Sequence, residues 1–263
     1  MKRFKYSSLS MVALQNNPKH QFAMKHALLE FNSNSLYTFI PKNACSTLRF
    51  SLAIRNGCIA GEQDFNWIHN NNNTFNPTLK EAFKCQYSFV VLRCPFRRLA
   101  SVFLDKFVAK DRQAWIYWDN QQRKPDLDEL SFSDFVKSLM QPYMFKLDIH
   151  WRPQVDFLLF DSYSDYFCLE SFSDAIHTLK QQIGFEVHDA RHLSGHGIER
   201  FDLIEGSNSK LTVQEIHNLK QNGTCPAPES LYSTELVEIV KKLYKDDIDF
   251  YRLKFGEDNL LFK

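Results

Sequence analysis

The chain has 263 residues, 44% of them hydrophobic, and its 32 basic and 31 acidic side chains leave a formal net charge of +1. That composition excludes a disordered or collagenous chain and allows one sizeable core. It also excludes a global field that would draw nucleic acid or an acidic membrane, so any bound anion must be held by a local constellation.

The N-terminus carries a short apolar run over 9–14, broken by Ser10. A signal peptide needs roughly 7–15 apolar residues and a membrane span about 20, so the expected protein is cytoplasmic and has no membrane span. The first clear element is Leu36-Tyr37-Thr38-Phe39-Ile40, an aromatic and β-branched run that predicts a buried strand ending at Pro41. Helical spacing follows over 46–55, with Gly57 as the stop. Residues 60–77 predict irregular backbone, with the Asn run 70–73 as a solvated turn and 78–83 as a short helix. Tyr87-Ser88-Phe89-Val90-Val91-Leu92 is apolar on both faces except at Ser88, as in a central strand of a covered parallel sheet. Pro95 suits the first turn of a helix whose apolar face is Leu99, Val102, Phe103 and Phe107.

Residues 109–130 lack firm periodicity and are expected to form a surface excursion. Ser131 caps an expected helix to 140, and Pro153 opens one over 155–160. Residues 166–169 predict a third strand, and Ser173 caps a helix to 182 with Gly184 beyond it. Thr212-Val213-Gln214-Glu215 has the form of a capping box, with Gly223 closing that helix. A last helix is expected over 233–244. Strands alternating with helices predict an α/β fold with a central, mainly parallel sheet flanked by helices. No linker divides the chain, which reads as a single domain over 1–263 with its core from about residue 36. Cys45, Cys58, Cys85, Cys94, Cys168 and Cys225 form no C-x-x-C pair, so no metal site is expected and most of them read as small buried hydrophobes.

Ligands of open α/β sheets bind beyond the carboxyl ends of the strands, and two strand ends here carry basic residues followed directly by helices. In Pro41-Lys42-Asn43-Ala44-Cys45-Ser46-Thr47, small residues let backbone N–H groups approach an anion. Lys42 adds a charge, and Ser46 and Thr47 add hydroxyl donors. The stretch lacks the G-x-x-x-x-G-K-[ST] pattern of nucleotide triphosphatases, and a Pro-started turn with a surface lysine is the plainer reading. In Arg93-Cys94-Pro95-Phe96-Arg97-Arg98-Leu99-Ala100-Ser101, Arg93 and Ser101 can converge on one phosphate. The plainer reading is a strand-end arginine paired with a carboxylate.

Taken together, 40–47 and 89–107 resemble the two donor-binding signatures of sulfotransferases, closest to carbohydrate sulfotransferases of the chondroitin and dermatan type. His150-Trp151-Arg152-Pro153-Gln154 and the stretch 243–251 are similar to further family segments. The family's acidic residue after the arginine is replaced here by Cys94, and a later family segment appears altered as 192–196. The resemblance implies a three-layer, P-loop-like fold and transfer of a sulfuryl group from 3'-phosphoadenosine 5'-phosphosulfate (PAPS) to a hydroxyl, expected on a sugar, with no metal required. It implies that Lys42, Asn43, Ala44, Cys45, Ser46 and Thr47 hold the 5'-phosphosulfate and that Arg93 and Ser101 hold the 3'-phosphate. Lys42 would stabilise charge on the leaving group.

For the base that activates the acceptor, His69 and His150 are the candidates, because imidazole titrates near working pH, with another residue such as a carboxylate as the alternative. Trp151 offers either a face for sugar stacking or a core ring, and Arg152 either a contact to an anionic acceptor or a solvated surface charge. Two rival readings are a P-loop kinase-like enzyme and a nucleotide-binding protein without catalysis.

Overall fold

Tyr87–Leu92 forms the strand that its composition predicts, buried from Ser88 onward, because parallel neighbours and covering helices leave it no wet face. The computed structural model describes residues 2–8, 11–71, 73–194 and 197–263. Leu9 and Ser10 of the N-terminal apolar run, Asn72 of the Asn run, and Gly195 and His196 of the altered segment lie outside them. The chain divides into two compact units, Met1–Arg93 with Gln154–Gly195 and Cys94–Pro153 with His196–Lys263.

The first unit is built on a sheet of β1 (Ala27–Glu30), β2 (Ser35–Thr38), β3 (Tyr87–Leu92) and β4 (Asp165–Cys168), in that order. β2, β3 and β4 run parallel, and β1 is antiparallel to β2. β1 was not anticipated, since Ala-Leu-Leu-Glu favours helix; its pairing with β2 overrides that preference. β2 is shorter than its apolar run: Phe39 and Ile40 leave the sheet yet stay buried. The helix Cys45–Arg55 covers one face, burying Leu48 and Leu52 in a core with Tyr37, Phe89 and Leu179. Tyr37 stacks on Phe89 with ring centroids 5.0 Å apart.

Two expectations for this unit change. The helix Phe172–Ile183 ends at Gly184 as anticipated, but its cap position is Ser171 and not Ser173. Beyond Pro153 only the short 3₁₀ turn Gln154–Phe157 forms. The backbone that would continue it is taken by the N-terminal segment: Lys5 N–H donates to Leu159 O at 2.9 Å, and Asp161 N–H donates to Arg3 O at 3.0 Å.

The second unit is organised by aromatic rings. The helix Pro95–Val102 runs on as a π-turn over Phe103–Phe107. Phe107 packs against Phe135 (4.5 Å), Tyr117 (5.1 Å) and Trp151 (6.0 Å). The stretch 109–130 is mostly exposed or half-buried, but it is not without regular structure. It holds the helix Arg112–Asp119, with Ala114 and Tyr117 buried, and Leu127 and Leu130 are buried as well. The apolar residues of that helix run without a break from Ala114 to Trp118, and only two of them, three apart, are buried, so the sequence shows no helical period. The capping boxes at Ser131 and Thr212 form as anticipated. An unanticipated pair of parallel strands, β5 (Asp202–Ile204) and β6 (Thr224–Pro226), completes the sheets. After the expected helix, seen as Thr234–Leu243, a further one spans Lys245–Phe255. Among the described residues no helix is long and apolar enough to cross a membrane.

Candidate active site

After β2 the chain turns through Lys42, Asn43 and Ala44 into the helix Cys45–Arg55. Lys42 and Ala44 both adopt left-handed backbone, with φ of 71° and 55°. Such conformations cost a residue bearing a Cβ roughly 1–2 kcal/mol each, and strain of this kind collects at ligand-binding turns. The loop thus reaches without glycine a backbone that glycine adopts freely, and successive N–H groups in such turns face a common concavity suited to anions. Ala44 occupies the cap position and makes no side-chain cap. The positive end of the helix is therefore not covered by a capping side chain. Lys42, Ala44, Cys45 and Ser46 are half-buried and Thr47 is buried.

Because β2 and β3 are parallel neighbours, this loop and Arg93 leave the sheet at the same edge. Arg93 Nη1 donates to the Lys42 carbonyl at 3.0 Å. Gln154, the last residue of the H-W-R-P-Q segment, ties both together. Its Oε1 accepts from Arg93 N–H at 3.0 Å and from Asn43 Nδ2 at 2.6 Å, and its Nε2 donates to Arg93 O at 2.9 Å. Asn43 Nδ2 also donates to Val91 O at 2.9 Å, and its N–H donates to Ile40 O. Asn43, expected in the cradle, is fully buried and braces the turn through these bonds. Sequence reasoning missed the Gln154 bridge, whose partners lie 111 and 61 residues away.

In the second unit the segment before Pro153 is equally ordered. His150 Nδ1 lies 2.6 Å from Asp148 Oδ1, which also accepts the His150 backbone N–H at 2.8 Å. Donation by Nδ1 to a carboxylate makes Nε2 the basic nitrogen of the ring. Burial pushes the Asp148 carboxyl up, but the hydrogen bonds and charge of His150, with Lys106 adding its own, outweigh it and hold the group below the usual carboxylate range. The D-x-H spacing was the available signal for this pair. Trp151 is fully buried. Its Nε1 donates to Met144 O at 2.8 Å and its ring packs on Phe107 and Phe135, so the sugar-stacking reading is withdrawn: Trp151 is core. Arg98, also buried, donates to the carbonyls of Arg152 and Ile149 at 2.8 and 3.2 Å and holds the segment from behind.

Of the remaining sequence candidates, Ser101 is half-buried on the helix Pro95–Val102. His69 is exposed in the helix Trp67–Asn70, edge-on to Phe65 at 5.5 Å. Cys94 is fully buried, and its Sγ accepts from Leu261 N–H at 3.4 Å. Cys85, Cys168 and Cys225 are buried too, whereas Cys58 is exposed.

A strained, glycine-free loop at the end of a parallel sheet, with an arginine from the adjacent strand end bonded to its carbonyl, belongs to an α/β fold of the phosphate-loop kind. A family model described as the sulfotransferase family matches residues 25–254, across both units, and the chain belongs to that family: it is a sulfotransferase. It is similar to carbohydrate sulfotransferase 10 of Xenopus laevis, with 24% identity over 245 residues that cover 81% of this chain and 69% of the relative. No solved structure matches the chain.

Proposed function

We propose that this sulfotransferase moves the sulfuryl group of PAPS onto a sugar hydroxyl. The observation that carries this reading is the bond from Arg93 Nη1 to the Lys42 carbonyl at 3.0 Å. It links the two donor signatures at one sheet edge, as a nucleotide with separated anionic ends requires. The sugar acceptor is supported by the similarity to a carbohydrate sulfotransferase.

PAPS supplies an activated sulfuryl group when bound, and the left-handed residues Lys42 and Ala44 and the uncapped helix start suit its 5'-phosphosulfate. Lys42, Ser46, Thr47 and the loop amides hold that end. Arg93 holds the 3'-phosphate, with Ser101 assisting as the family signature implies. Lys42 opposes negative charge growing on the leaving oxygen, a role whose loss commonly costs about 10²–10³ in rate. His150 is the stronger of the two base candidates, because Asp148 fixes its tautomer and orientation, while His69 is exposed. Its Nε2 takes the acceptor proton, an assistance worth about 10²–10⁴. No metal is needed in this scheme.

Thermal denaturation tests the donor site. Adenosine 3',5'-bisphosphate at 100 times its Kd should stabilise the protein by about 2.7 kcal/mol, ATP with magnesium should do less, and Arg93→Ala should abolish the effect. Transfer of label from sulfur-labelled PAPS across a glycan panel then tests the reaction. A larger response to ATP defeats the donor assignment, and binding without transfer to any glycan defeats the sugar acceptor.

A further inference from the structure

Arg49 lies four residues beyond Cys45 on the helix that follows the loop, a spacing that puts both on one helix face. It is only 9% exposed, and its guanidinium sits over the Phe39 ring at 5.3 Å. Among the described residues no carboxylate pairs with it, and its Nη2 is buried without a hydrogen-bond partner. Its electrostatic neighbours are the Cys45 thiol and the Tyr37 hydroxyl. The Tyr37 hydroxyl is itself buried without a partner, as is Oδ1 of Asn43 in the loop.

A guanidinium does not shed its proton in a protein, and a buried charge without a counter-ion is among the costliest arrangements an interior can hold. Buried polar groups find partners almost without exception. Three orphaned atoms therefore fall on the strand before the loop, on the loop itself and on the helix after it. Phosphosulfate offers the charge and the acceptor oxygens that Arg49 lacks, and guanidinium is the side chain best matched to such oxygens.

We propose that Arg49 is a second cation of the 5'-phosphosulfate cradle, neutralised by the donor and not by any side chain of the protein. This rests on reading 40–47 as the donor loop. It assigns Arg49 a role separate from that of Lys42. Lys42 opposes charge on the leaving oxygen, whereas Arg49 provides a standing positive charge behind the loop that favours any ligand with a 5'-anion.

The test compares two ligands by titration calorimetry: adenosine 3',5'-bisphosphate, which carries a 5'-phosphate, and adenosine 3'-monophosphate, which does not. Arg49→Met is expected to weaken the first by about 10–100-fold, the loss of one charge-assisted hydrogen bond, and to leave the second within about twofold. Arg49→Lys keeps the charge without the planar fork, so it should again weaken the bisphosphate more than the monophosphate, by less than Arg49→Met does. If Arg49→Met does not fold, Arg49→Lys alone decides between the same outcomes. Equal losses for both ligands, or no loss for either, overturn the proposal. A wild type that binds neither ligand is the distinct failure of the donor-loop reading itself.

Discussion

Two polar segments of this chain, 41–49 and 148–154, differ in how their polar atoms are satisfied. In 148–154 Asp148 holds both the ring and the backbone of His150, Trp151 Nε1 reaches Met144 O, Arg98 holds the Arg152 carbonyl, and Gln154 brackets Arg93 on both its N–H and its carbonyl. In 41–49 two residues sit in left-handed backbone, and Asn43 Oδ1 and Arg49 Nη2 are buried without partners. A segment whose polar groups are satisfied internally works as scaffold and orients a side chain. One that retains strain and orphaned polar atoms is arranged for a ligand that completes it.

Four variants break or sharpen that contrast, in falling order of effect. His150→Ala should lower the rate of transfer by about 10²–10⁴, with the fold retained by circular dichroism and partial rescue by added imidazole; unchanged turnover would remove His150 as base. Gln154→Ala should cost about 1–3 kcal/mol of stability in urea denaturation, because buried Asn43 Nδ2 and the partly buried Arg93 N–H and carbonyl lose a partner. A loss below 0.5 kcal/mol, about the scale of a neutral surface change, would mean that the bracket is dispensable.

The third variant is Asp148→Asn, read through pH. The Asp148 carboxyl is depressed in the folded protein, so its stabilising contribution is complete above the unfolded value of about 3.9 and is lost as pH falls through the lower folded value. Wild-type stability should therefore rise with pH across that window more steeply than that of Asp148→Asn, as measured by urea melts at closely spaced acidic pH values. Smallest is Ala44→Gly, which should relieve left-handed strain and stabilise the free protein by about 1 kcal/mol. A destabilised variant would show that the Ala44 conformation is not strained.

Much of the site was legible because its signals are local. Lys42 and Arg93 stand directly after apolar strand runs, and the helices that follow are marked by Pro95 and by apolar spacing; each pattern lies within a few residues. The boxes at Ser131 and Thr212 were equally plain, since a cap needs only its residue and the third one on. β1 was hidden because its four residues prefer helix, and the helix Arg112–Asp119 because its buried face shows only Ala114 and Tyr117. Trp151 was ambiguous because a tryptophan looks the same in sequence whether it covers a sugar or fills a core.

Residue type and short-range spacing were enough to assign a parallel α/β layer with basic residues at two strand ends, because helix caps, strand runs and strand-end turns are governed by neighbours along the chain. Tertiary packing decided that Gln154 joins Asn43 to Arg93, that Trp151 is buried, and that Arg49 has no carboxylate partner among the described residues. Each of those outcomes depends on which distant residues surround a side chain, and burial and counter-ions are properties of that surrounding rather than of the residue itself.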